Sequence, residues 1–189
     1  PRPYSRINLL NGTKGIAMSF PKFSVAFEKN VGELNIMPVA ISYEIESCDL
    51  EKAVEVYVKR ATGEYHKKEG EDTRSIISGI VRPKGRIHIS FCPPVTGEEI
   101  REAASLEKND RYRRLAEIID ARHRAGFRKW PYNIAASELV KGEKASDSQV
   151  TAAFLAYVEK RLEEVPAGLD RKAVGDILIE IYAAPALNV

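Results

Sequence analysis

The side chains best able to move a proton, hold a metal or attack a carbonyl are few in this chain: His66, His88, His123, Cys48 and Cys92. Zinc requires three or four converging nitrogen or sulfur ligands, commonly carried as close pairs. The sequence has neither a Cys-x-x-Cys nor a His-x-x-x-His spacing, so no metal site is expected. Cys92 follows His88 by four residues, but on a strand that spacing separates them by ~13 Å. A thiolate and its base need hydrogen-bond reach, and the pair is set aside. The Gly-x-Ser-x-Gly turn of the common hydrolases is absent. His88 shares the polar positions of its segment with Arg86 and Ser90 and reads as a strand histidine; His66 and His123 read as solvated. No catalytic residue is assigned.

Two basic features remain. Gly12-Thr13-Lys14-Gly15 resembles the tail of a phosphate loop but lacks the earlier glycine of that motif. Its backbone N–H groups and lysine could still cradle an anion, or simply make a turn. Residues 101–129 hold nine Arg or Lys against five Asp or Glu. Arg111, Arg114, Arg122 and Arg124 lie in that stretch, and Trp130 follows it. Basic charge beside an interfacial aromatic suits a helix resting on an anionic membrane. It equally suits a solvated helix whose arginine stems cover apolar surface.

The elements that must position these residues change character along the chain. Ile36-Met37-Pro38-Val39-Ala40-Ile41-Ser42-Tyr43 reads as a strand buried on both faces, with Pro38 at its start, an edge or a bulge. Ser47 or Asp49 is placed to cap a helix carrying Leu50, Ala53, Val54, Tyr57 and Val58 at helical spacing. Residues 62–74 read as a solvated loop or frayed helix end. A hairpin is expected next. Ile76, Ile77, Ile80 and Val81 would lead into the turn Arg82-Pro83-Lys84-Gly85, and Arg86-Ile87-His88-Ile89-Ser90-Phe91-Cys92 would alternate as its second strand. From 97 onward the pattern is helical, in segments near 98–107, 110–125, 135–140, from Ser146 to before Pro166, and from Asp170 to Pro185. The reading is an α/β core over 1–95 followed by a helical annex over 96–189.

Composition bounds the rest. With 189 residues, 44% hydrophobic and 30% charged, the chain can bury a real core. No apolar run approaches the ~18 residues of a bilayer-crossing helix, and no secretory signal is visible. A formal net charge of +2 argues against a strongly basic nucleic-acid binder, so no nucleic-acid partner is expected. Two cysteines make no disulfide framework, which favours a reducing, cytoplasmic location. The chain opens on Pro1 rather than methionine, as expected of a processed or excised product.

A constellation of segments resembles the bacterial branch of the glycerophospholipid (lysophosphatidic acid) acyltransferase family. It comprises Arg2-Pro3-Tyr4-Ser5-Arg6, Gly12-Thr13-Lys14-Gly15-Ile16, Ile36-Met37-Pro38-Val39-Ala40-Ile41-Ser42-Tyr43-Glu44, Arg82-Pro83-Lys84-Gly85-Arg86-Ile87-His88-Ile89, Trp130-Pro131-Tyr132-Asn133-Ile134-Ala135 and Ile181-Tyr182-Ala183-Ala184-Pro185. The resemblance implies that residues 1–95 are the C-terminal half of an acyltransferase-type mixed sheet flanked by helices. The family's His-x-x-x-x-Asp block is missing here: five residues after His66, His88 and His123 stand Glu71, Pro93 and Arg128. The catalytic half is thus expected upstream.

By the same resemblance, Arg2, Arg6, Lys14 and Gly15 would bind the acceptor phosphate and Pro38 would shape the strand behind it. The acyl donor would be acyl-CoA or acyl carrier protein, with no other cofactor. The acceptor would be a lysophospholipid or glycerol phosphate, met at the cytoplasmic face of the membrane by a peripheral protein. The alternative is a non-catalytic domain of the same shape that docks on membrane or on acyl carrier protein.

Overall fold

The computed structural model describes residues 27–188. Eight helices and one two-stranded antiparallel sheet are present among them: α1 (Phe27–Glu33), β1 (Val39–Tyr43), α2 (Asp49–Thr62), α3 (Glu71–Val81), β2 (Ile87–Phe91), α4 (Gly97–Ala104), α5 (Lys108–Gly126), α6 (Pro131–Lys141), α7 (Ser148–Leu162) and α8 (Arg171–Asn188). The content is mostly helical, compatible with an α/β-type class. The chain divides into two compact units, one of residues 27–42 and 88–128, the other of 43–87 and 129–188. The boundary expected at residue 96 falls inside the first unit instead, because α4 and α5 close a common core with residues that precede it.

That core joins Val31, Val95, Ile100, Leu115, Ile118 and Ile119, with Phe27 and Ile36 packed against it. Phe27 meets Tyr112 edge to face, ring centroids 5.5 Å apart, a geometry that aligns ring edge with ring face. Thr96 and Glu99 form a reciprocal capping box that starts α4. The strand pairing runs on past β2, with Cys92 N–H donating to Pro38 O (2.9 Å) and Val95 N–H to Ile36 O (2.8 Å). Pro38 therefore precedes the strand and takes part only through its carbonyl.

The strand faces differ from expectation. β1 is buried on one face, through Ala40 and Ser42, while Ile41 and Tyr43 are exposed. In β2, Ile87, Ile89 and Phe91 are exposed, and His88 and Ser90 are the half-buried positions. The reason is at Gly126. A Cβ there would stand 2.8 Å from Cys92 Sγ, 3.1 Å from Ala40 Cβ and 3.1 Å from Ser90 Oγ. The end of α5 lies on the sheet so closely that only small residues fit beneath it, which leaves the branched residues on the other face.

The second unit is helical. Leu50, Ala53, Val56, Ala135, Ala136, Phe154, Val158, Val165, Val174, Ile177, Leu178, Tyr182 and Ala183 form its core. Where the sequence pattern predicts the first strand of a hairpin, the structure has helix α3. The apolar pairs Ile76-Ile77 and Ile80-Val81 recur at four residues, the helical period, and Arg82, extended ahead of Pro83, ends the helix. The last helix also passes Pro185 rather than stopping there.

Candidate functional site

The segments that carry the family resemblance and lie in the second unit meet in space. Glu44, just past β1, faces Arg86, just before β2. Arg86 Nη2 donates to Glu44 Oε1 (2.7 Å), while its Nε and backbone N–H both donate to Oε2 (3.0 Å each). Gly85 makes this fit possible: its φ is +63°, and a Cβ there would lie 2.9 Å from Glu44 Oε2. The Arg86 hydrogen bonds hold the Glu44 carboxyl below its ordinary value. On its other side, the Arg86 guanidinium stands 5.1 Å from the centroid of the Trp130 ring, within cation–π range.

Trp130 leads into α6, whose start is set by Pro131 in the first turn and by Asn133 Oδ1 accepting from Trp130 N–H (2.8 Å). Asn133 Nδ2 donates to Tyr182 O (2.9 Å). Tyr182 in turn donates its hydroxyl to Asp49 Oδ2 (3.0 Å) and accepts from Glu46 N–H (3.2 Å). Asp49 is fully buried and is the centre of the network. Arg161 Nε and Nη2 donate to its Oδ1 at 3.0 and 2.9 Å, Leu50 N–H donates to the same oxygen at 2.7 Å, and Tyr157 donates to Oδ2. The sequence places Ser47 or Asp49 as the helix cap; the residue before α2 is instead Cys48, which makes no side-chain cap. Burial raises the pKa of Tyr157 and Tyr182 and keeps both as donors. Such a network, with its charge paired and its acceptors filled, fixes one arrangement of the elements that share it.

The individually predicted residues are placed as follows. Arg2, Arg6, Lys14 and Gly15 lie outside the described residues. Pro38 is buried ahead of β1. The basic stretch on α5 does not lie open as a membrane-resting face would. Arg122 is turned inward, its side chain 15% exposed, to Glu99 at 2.8 Å, and Arg114 is shared between Glu102 (3.1 Å) and Glu117 (3.7 Å). Arg111 folds back to Leu106 O (2.6 Å), and Arg124 is exposed in the last turn. Trp130 is 3% exposed, so it supplies no aromatic anchor to a membrane. Carboxylates three to twenty-three residues away claim Arg114 and Arg122, which a local charge count does not register.

His123 is half-buried rather than solvated. It hydrogen-bonds the Val39 backbone, and burial pushes its pKa down. Its Nδ1, Asp120 Oδ1 and Arg122 Nη1 have no hydrogen-bond partner among the described residues. No group of metal-ligand side chains is found there either. Cys48 and Cys92 are both free thiols. The feature sequence reading missed is the outward face of α3, where Ile76, Ile77, Ile80 and Val81 are all exposed. Helical spacing at those four residues was the available signal.

Comparisons with protein-family models, with curated proteins and with solved structures find no match for this chain.

Proposed function

We propose that this chain is part of a lipid acyltransferase that moves a fatty acyl group from acyl-CoA or acyl carrier protein to a lysophospholipid or glycerol-phosphate acceptor. One observation carries the reading. Segments quoted for the family resemblance from four separate stretches, at Glu44, Gly85-Arg86, Trp130–Asn133 and Tyr182, bind one another directly. Contact among these segments is what a shared family core requires of them.

The chemistry of acyl transfer assigns this chain a limited share. A general base must take the acceptor hydroxyl's proton as that oxygen attacks the thioester carbonyl, and donors must stabilise the oxyanion. No histidine here is followed by aspartate at the family spacing, so the base comes from outside these residues. The share left to this chain is acceptor binding, with Arg2, Arg6 and Lys14 as the phosphate-binding cations.

The test is calorimetric titration of the chain with a short-chain, soluble lysophosphatidate. Binding is expected, and Arg6→Ala or Lys14→Ala is expected to weaken it by about ten- to a hundredfold, the loss of one charge-assisted hydrogen bond. Binding no tighter than that of inorganic phosphate, and indifferent to both substitutions, would overturn the acceptor-binding role.

A further inference from the structure

We infer that the outer edge of β2 pairs with the same edge of a second copy of this chain, antiparallel about a two-fold axis at Ile89. The inference goes beyond the acyl-transfer reading and does not depend on it. It starts from the backbone. Glu44 N–H donates to Arg86 O (3.0 Å) and Cys92 N–H to Pro38 O (2.9 Å). These two bonds fix the register. Pro38 stands opposite Cys92 and Glu44 opposite Arg86, so Ala40 faces Ser90 and Ser42 faces His88 as the hydrogen-bonded pairs between them. The N–H and C=O groups of Ile87, Ile89 and Phe91 therefore point away from β1, and no hydrogen bond among the described residues reaches them.

The outer edge of β1 differs, because His123 of α5 hydrogen-bonds the backbone of Val39 there. Proteins commonly blunt an open edge with lysine or proline. β2 contains neither, and the side chains of Ile87, Ile89 and Phe91 are 51–71% exposed.

A row of backbone donors and acceptors selects an extended backbone as its occupant, and the sequence of the strand selects a second copy. Turned about Ile89, Ile87-His88-Ile89-Ser90-Phe91 sets Ile89 against itself, Ile87 against Phe91 and His88 against Ser90. Apolar then meets apolar on one face and polar meets polar on the other. The strand holds no Asp, Glu, Lys or Arg, and Arg86, just before it, is already bound to Glu44, so no like charges are set opposite each other. The contact uses the same patch on both copies and closes at two. Five residues a side fall far short of the roughly 20–30 of a standard interface, so the dimer is weak and dissociates on dilution.

The experiment is sedimentation velocity of the chain across a wide concentration range, beside amide hydrogen exchange over the same range. A monomer–dimer equilibrium is expected. The amides of Ile87, Ile89 and Phe91 should gain protection as concentration rises, while those of His88 and Ser90, bonded to β1, stay protected throughout. Ile89→Pro removes an outward donor and no bond to β1, so it should abolish the dimer and leave the protection of His88 and Ser90 unchanged. If that variant unfolds, Ile89→Lys and Ile89→Glu, which keep the donor, carry the test. Each alone should weaken the dimer by about tenfold, because like charges meet at the axis, and an equimolar mixture of the two should restore it. A monomer at every concentration, a dimer indifferent to these substitutions, or variants that fail to pair when mixed would each overturn the inference. So would protection of Ile87, Ile89 and Phe91 that is independent of concentration, since the chain would then cover its own edge.

Discussion

The two units of this protein handle apolar and polar groups in opposite ways. The first has a conventional aliphatic core but sets Ile41, Ile89 and Phe91 of its sheet toward solvent. The second has an aromatic and aliphatic core that encloses a carboxylate, Asp49, together with the hydroxyls of Tyr157 and Tyr182 and the guanidinium of Arg161. In the second unit, then, a carboxylate is buried because both oxygens of Asp49 accept hydrogen bonds. In the first, apolar surface is exposed because the end of α5 admits only Ala40, Ser90 and Cys92 beneath it. The contrast teaches that burial here follows from which partner fits, not from side-chain polarity alone.

The largest effect that would break this contrast lies at Asp49. Asp49→Ala should cost about 3–5 kcal/mol, because it leaves two tyrosine hydroxyls and the Nε edge of Arg161, whose Nη1 keeps Glu164, unpaired in the interior; urea unfolding measures it, and a loss below about 1 kcal/mol would mean that the network is wet and loose. The corresponding position in the first unit is Gly126. Gly126→Ala should cost about 1–3 kcal/mol through overpacking against Cys92, Ala40 and Ser90, and a neutral result in the same assay would remove the reason given for the sheet's orientation.

A subtler comparison uses pH. Glu44 in the second unit is held below its ordinary pKa of 4.5 by Arg86. In the first, burial would raise Glu99, but hydrogen bonds from Arg122 and Thr96 outweigh it and hold it below 4.5 as well. A folded-state pKa below the unfolded one contributes stability that is complete above 4.5 and disappears as pH falls through the folded value. Unfolding free energy should therefore decline below pH 4.5, and Glu44→Gln and Glu99→Gln should each flatten part of that decline. An unaltered slope in both variants would show that neither ion pair forms. The smallest effect belongs to the exposed sheet face: Ile89→Thr should change stability by no more than about 0.5 kcal/mol. A loss of several times that would mean that the face is covered in solution.

Much of the fold was legible in the residues, and the exceptions share a cause. Alternation at Arg86–Cys92 located β2, and the apolar run ending in Tyr43 located β1. Neither pattern says which of two faces a neighbouring helix covers, and Gly126, far along the chain from both strands, decides that. The helix α3 was misread because Pro83-Lys84-Gly85 resembles a hairpin turn, although the apolar pairs before it recur at the helical interval. Asp49 looked like a cap because its partners Tyr157, Arg161 and Tyr182 are more than a hundred residues distant. The arginines of α5 looked like one basic face because pairing with Glu99, Glu102 and Glu117 cannot be counted before α4 and α5 are packed. The contacts among Glu44, Arg86, Trp130, Asn133 and Tyr182 were not legible, because they join stretches more than forty residues apart in the chain.

The proposal that this chain supplies acceptor binding to an acyltransferase is tested most directly by reading the coding sequence that leads into Pro1. An uninterrupted frame carrying His-x-x-x-x-Asp and then Glu-Gly just ahead of Arg2 is expected, as is release of thiol from an acyl thioester by its full product that stops when that histidine is replaced. A start codon or an in-frame stop directly before Pro1 would contradict it.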